Sequence, residues 1–264
     1  MAHQKSHGFA IFGFAALLFA LELRRALRKT RHESKIVRDA RNLAIAAGAG
    51  LAMQIAERPL STRLARHVYR RGWGVTPLLA KSGAAQTAIG IVLLDYGLYL
   101  WHVLTHKVPL LWRFHLVHHI DLDLDASTAL RFHFGEMLLS VPWRLAQIAV
   151  VGPSPRSLSI WQTSLLASIL FHHSNVRLPK RAERALSFLI VTPRMHGIHH
   201  EALRENTDSN WSSGLTIWDL VHGTYRWHAE SAPIGVPAYM NRDDVTLPNC
   251  VTIPFRRQRD DWVT

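Results

Sequence analysis

The chain has 264 residues, 48% of them hydrophobic, yet its mean hydropathy is only +0.02 because 31 Lys and Arg and 17 His are spread among the apolar stretches. That length suits one large domain or a compact polytopic membrane protein, and the single cysteine, Cys250, excludes an internal disulfide and a thiolate-built zinc site, leaving nitrogen and oxygen as metal ligands. The net charge of +12 sits in Arg blocks beside apolar runs, as in cytoplasmic loops facing anionic headgroups, and no nucleic-acid-binding motif accompanies it, so no nucleic-acid partner is expected.

The first apolar run, Gly8 to Leu21, is shorter than the roughly 20 residues that cross a bilayer. Arg24, Arg25, Arg28, Lys29 and Arg31 follow it, which marks a retained anchor more than a cleaved signal. Asn42 to Ala56 is rich in Ala and Gly, a composition suited to close helix packing in a membrane, and is followed by Arg58, Arg63, Arg66, Arg70 and Arg71. These two runs are expected to pair as a hairpin, making residues 1–80 an N-terminal membrane anchor. Ser82 to Trp101, with Asp95 as its one formal charge, and Ser157 to Val176, with none, read as spans whose ends deliver histidines to one level. Between them Phe134 to Val151 is interrupted by Glu136, Pro142 and Arg144, so an interfacial or re-entrant helix is as well supported as a crossing. From Thr207 the chain is polar and Pro-rich, as expected of a cytoplasmic cap. The expected fold is all-α: an integral membrane helical bundle of about four spans or two hairpins, with a cytoplasmic helical cap carrying a histidine-rich dimetal site.

His102 and His106 end the span that contains Asp95, and His115, His118 and His119 follow as His-x-x-His-His, a pattern repeated by His196, His199 and His200. Positions i, i+3 and i+4 share one helix face, so each motif is expected to present three imidazoles in one direction. Clustered imidazoles repel when protonated and gain little by packing, whereas metal binding explains them directly. A zinc site needs three or four ligands, and eight imidazoles match two ions; imidazole suits iron, zinc, copper and nickel alike. His3, His7, His32 and His67 lie in terminal or basic segments and read as solvated or interfacial. The His-Glu-x-x-His signature, the Glu-x-x-His pair of carboxylate-bridged bundles, the Gly-x-Ser-x-Gly elbow and the nucleotide-binding glycine motifs do not occur.

The segments Asp95-Tyr96-Gly97-Leu98-Tyr99-Leu100-Trp101-His102, Leu111 to His119, Thr128 to His133, His173-Ser174-Asn175-Val176 and Thr192 to His200 together resemble the fatty acid hydroxylase or sterol desaturase superfamily. The likeness ends with Asp208-Ser209-Asn210, Trp218-Asp219, Gly223-Thr224-Tyr225 and Pro233 to Pro237, and covers residues from about 85 to 255. It implies a catalytic domain over residues 81–264 and a non-haem di-iron centre on the cytoplasmic side, zinc being a substitute in purified protein. The ligand boxes carry over to His102, His106, His115, His118, His119, His196, His199 and His200, with His173 as a helix-borne ligand and His133 and His172 as further candidates. Asn175, Asp208, Asn210 and Asp219 are candidates to orient ligand imidazoles. Two departures stand out: Asn210-Trp211-Ser212 where the family commonly has Asn-Tyr-Gly, and His222 where it commonly has Phe; neither removes a ligand.

The resemblance further implies hydroxylation or desaturation of an unactivated C–H position in a lipid, using dioxygen and electrons from a separate ferredoxin or cytochrome. A bacterial inner membrane is the expected location, with the endoplasmic reticulum as the alternative. Two other classes compete. A membrane zinc hydrolase needs a carboxylate base, for which Glu201 is the candidate, and a non-enzymatic metal carrier needs no electron donor.

Overall fold

In the computed structural model, which describes residues 2–29, 32–81, 83–228 and 232–262, the first two apolar runs form helices α1 (Ala2–Arg24) and α2 (Lys35–Ala52). A π turn, Met53–Glu57, carries α2 into α3 (Arg58–Arg71), which Gly72 ends in the left-handed conformation at φ 65. Next come α4 (Val75–Leu79), α5 (Gly83–Lys107) and α6 (Pro109–His119). After a loop, α7 (Phe134–Val151) and α8 (Pro155–His173) are the last long helices. Shorter ones follow: α9 (Lys180–Leu186), α10 (Pro193–His199), α11 (Arg204–Thr207), α12 (Ile217–His222) and α13 (Leu247–Thr252). Among the described residues β structure is limited to isolated bridges such as Ile190 with Leu215.

Local chemistry sets the helix ends that matter for the site. Pro155 and Pro193 occupy first turns, where a missing N–H is harmless, and the preceding Ser154 and Thr192 side chains accept from the N–H groups of Ser157 and Met195. Gly152 joins α7 to α8 at φ 63, with the Trp73 carbonyl lying where a Cβ would stand.

Among the described residues, α5 and α7 are long and apolar enough to cross a membrane, where about four spans were expected. α7 is one continuous helix in spite of its polar residues. Glu136 faces His115, and Arg144 lies over the Trp161 ring at 5.0 Å, so both charges turn toward protein. The expected α1–α2 hairpin is replaced by separate docking: α1 packs on α8, and α2 on α7. His32 pairs with Asp123, and His67 is exposed against Trp73; the His3 and His7 side chains lie outside the described residues.

α5 packs against α6, α7 and α8, and an apolar core of Leu94, Leu98, Trp101, Ile148 and Trp161 fills the space between them. A second core, including Leu116, Val117, Val236 and Cys250, closes α6 against the C-terminal segment. Each fully buried Leu, Ile or Val side chain among them contributes roughly 1.5–3 kcal/mol. Between α2 and the loop after α6 lies a buried polar network in which Arg38 donates to both oxygens of Asp121, at 2.9 and 3.0 Å, and to Asp125 at 2.6 Å. Burial alone would push the Asp121 carboxyl up; Arg38 and Arg131 overcome that and hold it below the usual carboxylate range. Arg131 also donates to the Val117 carbonyl, which fixes the last turn of α6.

Candidate metal centre

Four helices aim imidazoles at one buried region. α5 supplies His102 and His106, α6 supplies His115, His118 and His119, α8 ends on His173, and α10 with its C-terminal neighbour supplies His196, His199 and His200. They form two groups: His102, His106, His115, His119 and His199 in one, and His118, His173, His196 and His200 in the other. Within each group one nitrogen per ring lies within 4.8 Å of all the others. The groups abut, with the His119 and His200 rings stacked 4.4 Å apart.

The three imidazoles of each motif therefore do not point one way, contrary to the expectation from spacing. At about 100° per residue, i and i+4 diverge by only about 40°, whereas i+3 lies about 60° to the other side of i. His115 and His119 go to the first group and His118 to the second; His196 and His200 go to the second and His199 to the first. Each motif thus contributes to both groups.

The ring tautomers follow from their partners. Nδ1 of His102 lies 2.7 Å from the Trp211 carbonyl, Nδ1 of His199 2.7 Å from the Ser209 carbonyl, and Nδ1 of His173 2.9 Å from the Ile169 carbonyl. A carbonyl can only accept, so the proton is on Nδ1 and the electron pair on Nε2 faces the group. His115 Nδ1 has a carboxylate partner, Glu136, at 3.0 Å. Burial, reinforced by neighbouring imidazoles, pushes His118, His119, His196 and His200 well below the ordinary histidine pKa, and burial pushes His199 down to about 3. These rings are neutral at neutral pH, the form that binds metal.

The donor set suits divalent metal ions. Nε2 of His106, His115 and His199 and both nitrogens of His119 are buried without a hydrogen-bond partner, a costly arrangement for polar atoms unless they are ligands. In the second group successive Nε2 atoms of His118, His173, His196 and His200 are 3.0, 3.1 and 3.2 Å apart. Nitrogens that share one ion at about 2.0–2.1 Å lie about 3 Å from one another. Trp112 stands 5.0 Å from the His106 ring, and Phe132 stacks on His118 at 4.5 Å, walls that exclude water.

The remaining candidates occupy other places. His133 caps α7: its Nδ1 accepts from Gly135 N–H, and its Nε2 lies 3.2 Å from the Val251 carbonyl, so both nitrogens are engaged away from the two groups. His172 is buried beside His196, ring centres 4.1 Å apart, and belongs to neither group. Asp219 accepts from the N–H groups of Trp211 and Ser212, holding the loop whose Trp211 carbonyl meets His102. Asn210, at φ 51, bonds the Met195 and Arg226 backbones on either side of that loop. Asp208 pairs with Lys107 at 2.8 Å, and Asn175 bonds the Arg28 backbone. Glu136, read in the sequence only as an interruption of an apolar run, is a carboxylate that reaches one of the clustered imidazoles, His115.

The family model described as fatty acid hydroxylase matches residues 87–224, a stretch that contains all nine clustered histidines. An ornithine lipid hydroxylase of Rhizobium tropici is 32% identical over 143 residues, covering 54% of this chain and 42% of its own length. An alkylglycerol monooxygenase of Xenopus tropicalis is 28% identical over 60% of this chain and 35% of its own, and a mouse cholesterol 25-hydroxylase 28% over 55% and 47%. The chain thus spans between about a third and a half of the length of these curated relatives. No solved structure matches the chain.

Proposed function

The chain belongs to the fatty acid hydroxylase family, and from that membership and its two imidazole groups we propose that it is a membrane-bound oxygenase that hydroxylates or desaturates a lipid at an unactivated C–H position. The observation that carries this reading is the donor set: nine histidines and no carboxylate, divided into two adjoining groups. His102, His106, His115, His119 and His199 would hold one iron, and His118, His173, His196 and His200 the other. Two irons held there would supply dioxygen activation and removal of hydrogen from carbon, and electrons would come from a separate ferredoxin or cytochrome.

The chain's own residues prepare that chemistry. The carbonyls of Trp211, Ser209 and Ile169 keep Nδ1 of His102, His199 and His173 protonated and aim Nε2 inward, so that none of these three rings must rotate or lose a proton on binding. Trp112 and Phe132 keep bulk water from the rings. α5 and α7, with exposed apolar side chains such as Phe12, Ile36, Ile55 and Leu78 on the outer helices, suit a membrane seat from which a lipid chain enters sideways, and the Arg blocks favour a cytoplasmic face for the site. Relatives named for ornithine lipid, alkylglycerol and cholesterol favour a lipid substrate of this kind. The zinc-hydrolase alternative loses its base: the Glu201 carboxylate is committed to Asn206, to Ala232 N–H and to His228.

The test is to express the chain in a bacterial membrane, supply labelled dioxygen and profile lipids by mass spectrometry. A lipid that gains one labelled oxygen or loses two hydrogens, and does neither when His118 is replaced by Ala, is expected. An unchanged lipid profile with an active electron donor present would contradict the proposal.

A further inference from the structure

A cavity of about 430 Å³ lies between the segment that follows α1, the loop after α6 and residues 232–234, with Asn175, two residues after His173, also in its lining. Its described carboxylates each have partners, Glu22 through Oε1 alone while its Oε2 is buried without a hydrogen bond. Glu22 accepts from the N–H groups of Ala126 and Asn175, Asp123 from His32 N–H, Asp125 from Lys35 and Arg38, and Glu33 from Arg41.

Arg28 is different. Its Nε and Nη1 are buried and find no acceptor among the described residues. Glu201 and Glu183, the acidic groups that act on it through space, already serve Asn206, His228 and Arg194. Burial pushes the Arg28 guanidinium down to about 10, with the nearby Arg194 adding to that effect against the two carboxylates. A cation with two buried, unmatched donor atoms is costly to maintain and is a natural receptor for an anion.

Three segments place Arg28 in register with the histidines. Asn175, two residues after His173, accepts from Arg28 N–H at 2.7 Å and donates to the Arg28 carbonyl at 2.9 Å. The guanidinium Nη2 lies where a side chain on Gly197 would stand, between His196 and His199. On the third side, Gly235 N–H, next to the cavity-lining Ile234, donates to the His200 carbonyl at 3.0 Å. Leu27, Leu122, Leu124 and Ile234 give the cavity an apolar wall beside the charged end.

We propose that this cavity is a subsite for the acidic head of an amphiphile, a carboxylate or phosphate received by Arg28 while its apolar part runs along the leucine wall. The inference rests on the oxygenase reading in one respect: it makes that amphiphile the substrate, held by its head while the chain reaches the metal centre. Binding energy gathered at the head would then fix which carbon meets the irons.

The test is calorimetric titration of the full metal-loaded chain in a neutral maltoside detergent, with dodecyl phosphate, dodecanoate, inorganic phosphate and dodecyltrimethylammonium as probes. The two anionic amphiphiles are expected to bind roughly 10- to 100-fold more tightly than the cationic one, and Arg28→Gln to abolish that preference while iron content stays unchanged. Arg28→Lys keeps the charge and loses the fork, so it should retain part of the preference. Equal binding of cationic and anionic amphiphiles by the unaltered chain overturns the proposal without recourse to any variant. Binding of inorganic phosphate as tight as that of dodecyl phosphate overturns the lipid-head assignment, and full preference in Arg28→Gln overturns the role of Arg28. Because binding is read without turnover, oxygenated product with head-blind binding overturns only the subsite, whereas Arg28-dependent binding with no product supports the subsite and overturns only the reaction.

Discussion

Replacing Glu136 should weaken the first metal site without unfolding the protein. Its Oε1 lies 3.0 Å from His115 Nδ1, both side chains are buried, and its Oε2 has no partner, so most of what the carboxylate does at this position passes through His115. A carboxylate on the far nitrogen of a ligand imidazole fixes the tautomer and raises the basicity of the ligating nitrogen, and removing it typically lowers metal affinity about 10- to 100-fold, or about 1.4–2.7 kcal/mol. Glu136→Gln keeps an oxygen acceptor and loses the charge, so it belongs at the lower end. Glu136→Ala also leaves the buried Nδ1–H unmatched, which adds about 1–3 kcal/mol of destabilisation. The assay is a chelator titration of purified protein with metal per chain read by elemental mass spectrometry. The order of retention should be unaltered chain, then Gln, then Ala. Release of metal by both variants at the same chelator concentration as the unaltered chain would refute the reasoning.

His119→Ala and His118→Ala remove ligands from different groups, so each should lower metal content by about one ion per chain while membrane insertion is kept; either variant with full metal content contradicts the division of the motifs. The metal-stripped protein should lose stability as pH falls. Burial holds His199 near 3 against an ordinary value of 6.5, so between those values the unfolded chain takes up a proton that the folded one refuses, and stability declines by about 1.4 kcal/mol per pH unit for each such ring. Thermal melts of stripped protein that do not change from pH 7 to pH 4 would exclude this. Gly152→Ala combines a left-handed φ of 63 with the Trp73 carbonyl in the place of its Cβ, and should destabilise by at least about 1–3 kcal/mol, seen as a lower melting temperature in detergent; an unchanged melting temperature would mean that the turn relaxes freely.

The nine clustered histidines were legible because spacing, number and family likeness all pointed at the same residues. Their division was not, because His-x-x-His-His fixes which helix face the rings occupy and leaves open where a second helix puts its own rings between them. The groups that orient the rings were mostly hidden for a different reason: the carbonyls of Trp211, Ser209 and Ile169 belong to the backbone, and side-chain identity carries no trace of them. Asp219 was singled out rightly as near the site, yet it acts through the N–H of Trp211 and not on an imidazole. Glu136 was discounted because a charge in an apolar run counts against a span, although burial beside His115 is what makes it tolerable there. Helix existence was read well from apolar runs, but α1 and α2, adjacent in sequence, dock on α8 and α7, a choice set by side-chain packing and by the Arg38–Asp121 network.

The central claim is that two adjoining imidazole groups hold two irons. It is tested most directly by counting iron and zinc per chain, by elemental mass spectrometry, in protein purified gently from membranes. About two irons per chain is the predicted result; no tightly bound metal would contradict the dimetal centre, and zinc alone, with no lipid oxygenation after iron is restored, would contradict the oxygenase while leaving the site intact.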